Sequence, residues 1–579
     1  MVRHCILDAL QQYIDVCDLN VDIDTEIAVE PPHCKNHGDL YTNAAMVFAK
    51  KLKKPPKEIA NIICEHLLKI PEITEASIAN PGFINIRVNT DTWKLKIGEI
   101  IRLGCDYSYT NIYQGTTVNV EFVSANPTGP LHTGHARNAV LGSVIANLLE
   151  KVGYIVTREF YINDLGSQIK SLAKSVYLRY QENFGITVPD STFTDDMYCG
   201  EYIRDITAAL AEIHHDAFIG KDEAEWLRPF CEFSIARMMD GIKNDLAIVG
   251  VTMDLYTSEA SLHARGMMDR ALTKLMENGD VYGGVLPRPK GISNDEEWEE
   301  LPQTLFNSTK YGDDVDRVIQ KSDGTWTYFA GDLAYHLDKI ERGYQRLVTI
   351  LGADHNGYIK RLLAAVNAMS HGKVQFDVRL YQLVNFLENG VPVRMSKRSG
   401  NFITLRDVVD RVGKDITRYM MISRHHDVMI DFDFAKVVEC TIDNPLFYVQ
   451  YAYARICSVF RHYESVFGKV DEAELAICDT ACITDELEME LVKALAYWPE
   501  QVKAAAIALE SHRIPKHLQD IAHNFHALWN KGKTNAELRF IDRNDKESTK
   551  ARLALLLATK FVIEDGFKII GVTPMQEMR

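Results

Sequence analysis

Two periodicities in the apolar residues divide the chain into regions of different character. Near the start, TNAAMVFAKKLKK and PKEIANIICEHLLK carry helical spacing, and FINIRV reads as a strand after the turn signal NPG. Together they predict a small α+β domain over residues 1–106. From about residue 117 the pattern changes: Val118, Val120 and Phe122 alternate with Asn119 and Glu121, as in a strand. Past a Pro/Gly-rich turn, Val140, Val144, Leu148 and Val152 recur every four residues beside Ile145 and Leu149. That spacing predicts an amphipathic helix opening near residue 134 and stopping at Gly153. RVIQK, RLVTILG and LYQLVNFL read as further strands separated by helical segments, which implies a parallel sheet within residues 107–430. The acidic, Pro-containing stretch 287–303 reads as a surface connection. After about residue 431 strand signals vanish. NPLFYVQYAYARICSVF and TKARLALLLATKFVIEDGF are helical patterns, predicting an all-helical domain over 431–579.

Composition narrows the choices. A net charge of −16 argues against a protein that coats nucleic acid without specificity, and leaves open binding of a specific folded RNA through local basic faces. The 11 cysteines are scattered, and the closest pair, Cys478 and Cys482, has no second pair or histidine cluster to complete a zinc site. Free thiols in a reducing cytosol are the plain reading. No run approaches the roughly 18 apolar residues of a membrane span, and the first residues have no leader-like apolar core. A cytoplasmic protein, monomeric and without membrane partners, is expected.

The stretch NPTGPLHTGHARN, residues 126–138, places His132 and His135 at the mouth of the predicted helix. A zinc pair on one helix face sits at i, i+4 with further ligands, so this i, i+3 pair is not assigned a metal. An ordinary helix entrance is one reading. The other is a phosphate site: the strand runs into a turn whose helix aims its free N–H groups past the strand end, where two imidazoles can donate to phosphate oxygens. Gly134 then lets ATP approach the backbone closely. A second motif strengthens this reading. GVPVRMSKRSGN, residues 390–401, sets Met395, Ser396 and Lys397 in a Gly-flanked loop, about 260 residues beyond the histidines. Alone it reads as a solvated surface loop; paired with the first motif, Lys397 can neutralise a pyrophosphate leaving group.

These motifs resemble the HIGH and KMSKS signatures of class I aminoacyl-tRNA synthetases, with Arg394 at the first Lys position and Arg398 at the last Ser position. EFVSANPTGPLHTGHARNAVLGSVIANLLEKVGYIVTREFYINDLGSQI, DVDRVIQKSDGTWTYFAGDLAYHLDKI, LGADHNGY and NHGDLYTNAAMVFAKKL resemble the arginyl-tRNA synthetase branch over nearly the whole chain. The ending GVTPMQEMR departs from a commoner Pro-Glu-Arg-Met type. The resemblance implies a Rossmann-type doubly wound catalytic domain, a tRNA-binding N-terminal domain and an anticodon-binding helical C-terminal domain. It implies arginine, ATP with Mg²⁺ and arginine tRNA as substrates. His132, His135 and Lys397 would serve the phosphates in adenylate formation, before transfer to the terminal ribose of the tRNA, and activation would await bound tRNA.

A guanidinium presents five donors in a planar fork and calls for paired carboxylates. The resemblance assigns Glu121 and Asn126 to the α-amino and carboxylate end of arginine, Tyr328 and Asp332 to the guanidinium end, with Glu259 a further candidate. Each alone reads equally as a surface or capping group. Asp354 and His355 stand at a predicted strand end near the ATP ribose, or else stabilise a loop. Trp529 is a stacking candidate for anticodon bases, or an aromatic of the helix-bundle core. His425 and His426 read as surface residues, because no third ligand is in sight. Another class I synthetase is the rival enzyme, against which the acidic candidates and the N-terminal domain count. A non-catalytic tRNA binder is the rival from a different class, against which intact His132, His135 and Lys397 count.

Overall fold

The computed structural model describes residues 2–17, 27–32, 34–286, 301–393 and 403–578. The loop residues Arg394, Met395, Ser396, Lys397 and Arg398 therefore lie outside the described residues, as does most of the acidic connection. The chain divides into two compact units. One comprises residues 1–104, 458–497 and 523–562; the other comprises 105–457, 498–522 and 563–579. The carboxy-terminal helices thus contribute to both.

In the first unit, helices Ala44–Leu52 and Pro56–Leu67 and strand Phe83–Val88 form where their apolar spacing predicts. Strand Phe83–Val88 lies between Leu40–Thr42 and Ile73–Ala79 in a four-stranded antiparallel sheet. Phe48, Ile59, Ile63, Ile84 and Ile86 are fully buried in the shared core. Trp529 packs between Phe525 and Phe540, with ring centroids 5.9 Å from each.

The second unit is built on five parallel strands: β1 (Thr117–Glu121), β2 (Ile155–Ile162), β3 (Leu255–Ser258), β4 (Arg346–Gly352) and β5 (Gln375–Tyr381). Their order is β5-β4-β1-β2-β3, so the winding reverses at β1. In such a doubly wound sheet the crevice for ligands opens beyond the carboxyl ends of the strands at the reversal. Two helices concern that crevice: α1 (Thr133–Lys151), which follows β1, and α2 (Tyr328–Glu341), which precedes β4.

Three details differ from the sequence reading. Arg317–Gln320, within RVIQK, lies in a separate three-stranded antiparallel sheet with Gln303–Phe306 and Val281–Gly284. LYQLVNFL spans the end of β5 and a second strand, Val384–Glu388, which pairs in parallel with Ile430–Asp433. That last strand is only four residues long, too short for its alternation to stand out. Between β2 and β3 stand three helices, Ser167–Asn183, Glu201–His214 and Glu223–Ile248, packed around Tyr177, Tyr180, Trp226 and Phe230.

Helix α1 is predicted to be amphipathic and is instead buried on almost every side. Its polar residues are absorbed by hydrogen bonds. Arg137 donates to the carbonyls of Gln382, Val428 and His425 at 2.7, 2.8 and 2.9 Å. Ser143 accepts from Arg418 at 3.1 Å. Close approach to the sheet depends on Gly142, where a Cβ would stand 2.2 Å from Cγ of Phe122. Gly142→Ala is expected to lower the unfolding free energy by about 1–3 kcal/mol through overpacking. Chemical denaturation measures this, and an unchanged midpoint would mean that Phe122 is able to yield.

Candidate active site

At the end of β1 the chain leaves the sheet through a strained reversal. The Ser124 N–H donates to the Phe122 carbonyl at 3.0 Å, a γ-turn centred on Val123. Val123 and Ser124 have φ of 68° and 40°, the left-handed region that a β-branched residue strongly disfavours. Such strain costs of order 1–3 kcal/mol per residue and persists only where surroundings hold it. Asn138 of α1 does so, accepting from the Val123 N–H at 3.0 Å and donating to the Ile350 carbonyl of β4 at 3.2 Å. The reversal folds the Ser124 hydroxyl back onto Glu121 at 3.1 Å.

The helix that follows is capped by imidazoles. His132 is the N-cap and its Nδ1 accepts from the Gly134 N–H at 3.0 Å; Nδ1 of His135 accepts from the His132 N–H at 3.2 Å. The pair is a capping box in which rings replace the usual Ser and Glu. An Nδ1 that accepts carries no proton, so each neutral ring holds its proton on Nε2. The two rings lie 3.9 Å apart, tilted by 32°. Gly134 is required by this ring packing, because a Cβ there would meet Cε1 of His132 at 2.8 Å. The Gly134 carbonyl accepts from the Tyr381 hydroxyl of β5 at 3.3 Å.

The described residue after the lysine loop returns to this same turn. Thr133 N–H donates to the Ile403 carbonyl at 3.2 Å and Leu405 N–H to the Leu131 carbonyl at 2.7 Å, flanking a bridge between His132 and Thr404. The histidine turn is therefore joined by main-chain hydrogen bonds to residues 403–405, which follow the second motif in the sequence. Thr404 then caps helix Leu405–Val412 in a conventional capping box with Asp407.

Beside the turn, carboxylates gather beyond the ends of three neighbouring strands: Glu121 closes β1, Asp164 follows β2 and Glu259 follows β3. Asp332 joins them from α2. Glu121 has its own cation. Fully buried Lys339 lies 2.6 Å from its Oε2, and Thr349 donates to the same oxygen at 3.3 Å. Burial alone would raise the Glu121 pKa, and the Lys339 charge outweighs it, so the carboxylate stays ionised. His336 is held neutral, its pKa lowered to about 4 by burial and the adjacent Lys339 cation.

Among the described residues, Asp332 and Glu259 lack a comparable partner. Burial, with the charges of Glu121 and Glu259 and only partial relief from Arg361, raises Asp332 to about 7. Glu259 is raised by burial and by Asp164, and a Cβ on Gly331 would sit 3.4 Å from its Oε1. Tyr161 is pushed far up by burial, reinforced by the negative charges of Glu259, Asp332, Glu121 and Asp164. The pocket carries a surplus of negative charge.

The chain is 49% identical over 557 residues to an arginine–tRNA ligase of Parvibaculum lavamentivorans, spanning 96% of this chain and 95% of that one. It belongs to the arginyl-tRNA synthetase family. An arginine–tRNA ligase of Roseobacter denitrificans is 46% identical over 579 residues, covering 100% of this chain and 99% of its own. The family model for the arginyl tRNA synthetase N-terminal domain matches residues 1–88, that for the class I (R) synthetase catalytic domain matches 101–195 and 299–444, and the DALR anticodon binding domain matches 449–578. In fold, the chain resembles the arginyl-tRNA synthetase of Thermus thermophilus at a TM-score of 0.71 and 19% identity, each chain covered completely.

In this family member the residues singled out from the sequence are brought together unequally. Glu121, Glu259 and Asp332 share the pocket. Asn126 is exposed and donates to Gln168 at 2.8 Å. Tyr328 opens α2 one turn before Asp332 but is 93% exposed. Asp354 and His355 follow β4 directly and are exposed, with Nε2 of His355 3.6 Å from Oδ2 of Asp354. Lys339, Tyr161, Asp164 and Tyr381 were not singled out. A signal for Lys339 exists: Asp332, Tyr335, His336 and Lys339 recur at i, i+3, i+4 and i+7, a core stripe written in polar residues.

Removing the cation while keeping the carboxylate tests the pocket's foundation. Lys339→Met is expected to destabilise the fold by about 3–5 kcal/mol, with partial recovery on adding Glu121→Gln. Denaturant titration of single and double variants measures both. For the capping rings, ¹⁵N NMR of labelled histidines should show His132 and His135 protonated at Nε2; Nδ1-protonated signals would contradict the hydrogen bonding.

Proposed function

We propose that the protein joins arginine to arginine tRNA in two steps, using ATP and releasing AMP and pyrophosphate. One observation carries the reading: a surplus-negative pocket and an imidazole-capped helix mouth open from the same strand end. A guanidinium neutralises the pocket through Asp332 and Glu259, and its planar fork of donors suits two carboxylates better than an ammonium would. Asn126 takes the α-amino and carboxylate end, with Glu121 anchored behind it.

The arginine carboxylate then faces the α-phosphate of ATP. It is ionised at neutral pH, so attack needs no general base, and catalysis is positioning with charge stabilisation. The Nε2–H groups of His132 and His135 donate to the phosphate oxygens as charge shifts, Asp354 and His355 flank the ribose, and Lys397 neutralises the departing pyrophosphate, with Met395 and Ser396 bordering the nucleotide. Mg²⁺ enters with the nucleotide as its phosphate counter-ion, and its hydrated shell needs no cage of protein carboxylates. The second step passes the arginyl group to the terminal ribose of the tRNA. Its anticodon contacts fall to the DALR region, where Trp529, packed against two phenylalanines, is the stacking candidate. Among the described residues no helix is long and apolar enough to cross a membrane. We place the enzyme in the cytoplasm as a monomer.

ATP–pyrophosphate exchange tests the reading. Exchange should require arginine, rise on adding arginine tRNA, and fall roughly 10²–10³-fold in Lys397→Ala. Exchange that is indifferent to tRNA would remove the coupling and keep the substrate; none with arginine would remove the substrate. Asp332 supplies a pH signature. It is protonated below its pKa of about 7, and only the ionised form attracts a guanidinium, so affinity is present above that pH and lost below it. The KM for arginine should fall about tenfold from about pH 6 to about pH 8. In Asp332→Asn the KM should be higher and flat over that range; a slope that survives the substitution would assign the proton elsewhere.

A further inference from the structure

His425 and His426 follow helix Lys414–Met421, and in the sequence they stand without a third ligand. The fold supplies one from residues far along the chain. Residues 498–522 belong to the same compact unit, and the turn between helices Trp498–Ala508 and Arg513–Thr534 sets Glu510 and His512 beside His425. Nε2 of His425 lies 3.5 Å from Oε1 of Glu510. The rings of His425 and His512 are 4.8 Å apart and nearly perpendicular, at 75°. One donor atom from each of the three lies within 4.8 Å of the others, and among the described residues no other group of three His, Cys, Asp or Glu side chains is so arranged.

We propose that His425, Glu510 and His512 form a binding site for a divalent transition metal of the Zn²⁺ class. Two donors bound tetrahedrally to one zinc stand about 3.4 Å apart, given ligand distances of about 2.0–2.1 Å. The separation between His425 and Glu510 already matches that figure at 3.5 Å. The widest separation, at most 4.8 Å, leaves about 1.4 Å for a side-chain rotation to close. Two imidazoles and a carboxylate are a borderline donor set suited to zinc, with a fourth position left for water.

The surroundings are arranged as supports for such ligands. The carboxylate of Asp427 accepts from Nδ1–H of His425, which leaves the lone pair on Nε2 facing Glu510. Arg513 holds the other oxygen of Glu510 at 2.6 Å and so orients Oε1 toward His425. Nδ1 of His512 is buried with no hydrogen-bond partner among the described residues, a deficit that coordination removes. The backbone of His425 is one of the three carbonyl acceptors of Arg137, so the ion would clamp the turn that receives α1.

The test uses the full-length protein, stripped with a chelator and titrated with Co²⁺ and with Zn²⁺. One equivalent of Co²⁺ should bind with the visible absorption of nitrogen and oxygen ligands and without thiolate charge-transfer bands. His512→Ala and Glu510→Gln should each weaken binding at least tenfold, and Zn²⁺ should raise the Tm of the parent protein and not of the variants. Metal-free melts of the variants check that they fold. Absence of binding, thiolate bands that place the ion on cysteines, or binding unchanged in both variants would each overturn the proposal.

Discussion

Two carboxylates stand side by side inside the sheet, and much of the site depends on how that conflict is resolved. Glu121 of β1 and Glu159 of β2 are register partners on adjacent strands, both buried. Like charges so placed repel strongly at low dielectric. The end of α2 answers both: Lys339 pairs with Glu121, and Arg342, the residue that caps the helix, grips Glu159 with two hydrogen bonds at 2.9 and 3.0 Å. Asn119 and Thr257 complete the shell of Glu159. With these cations committed, α2 has none to spare for Asp332, and the remaining negative charge is left to a ligand.

The same logic explains why the pocket sits where it does. Charge on the inner strands is balanced, which fixes α2 against β1 and β2. Charge beyond the strand ends is left unbalanced. A buried, neutralised floor lies beneath carboxylates whose charge the described residues leave largely uncompensated. The strained reversal at Val123 and Ser124 belongs to this arrangement, since it is what returns a hydroxyl to Glu121.

Legibility in the sequence followed the physics of each element. Strands β1 and β4, helices Ala44–Leu52 and Pro56–Leu67 and the helix after the histidine turn were readable because one periodicity dominates each. The all-round burial of α1 was not, because Arg137, Asn138 and Ser143 look like a solvent face until their distant partners are known. The three helices between β2 and β3 carry no element of their own in the sequence reading, although Tyr177, Tyr180, Trp226 and Phe230 sit at spacings suited to a core. In the candidate site, Glu121, Asp332 and Glu259 are proposed by chemistry together with the resemblance. Lys339 is not, since a lysine on a helix ordinarily signals solvent. Glu510 and His512 were beyond any local reading, as their relation to His425 is made only by tertiary folding.

Main-chain hydrogen bonds through Leu131, Thr133, Ile403 and Leu405 tie the histidine turn to the described residues that follow the lysine loop. Peptide groups form such a seam whatever side chains they carry. The anchorage of residues 403–405 on the histidine turn is therefore insulated from their own side chains. A substitution at these positions leaves the seam's peptide groups in place, whereas an insertion or deletion would misalign them.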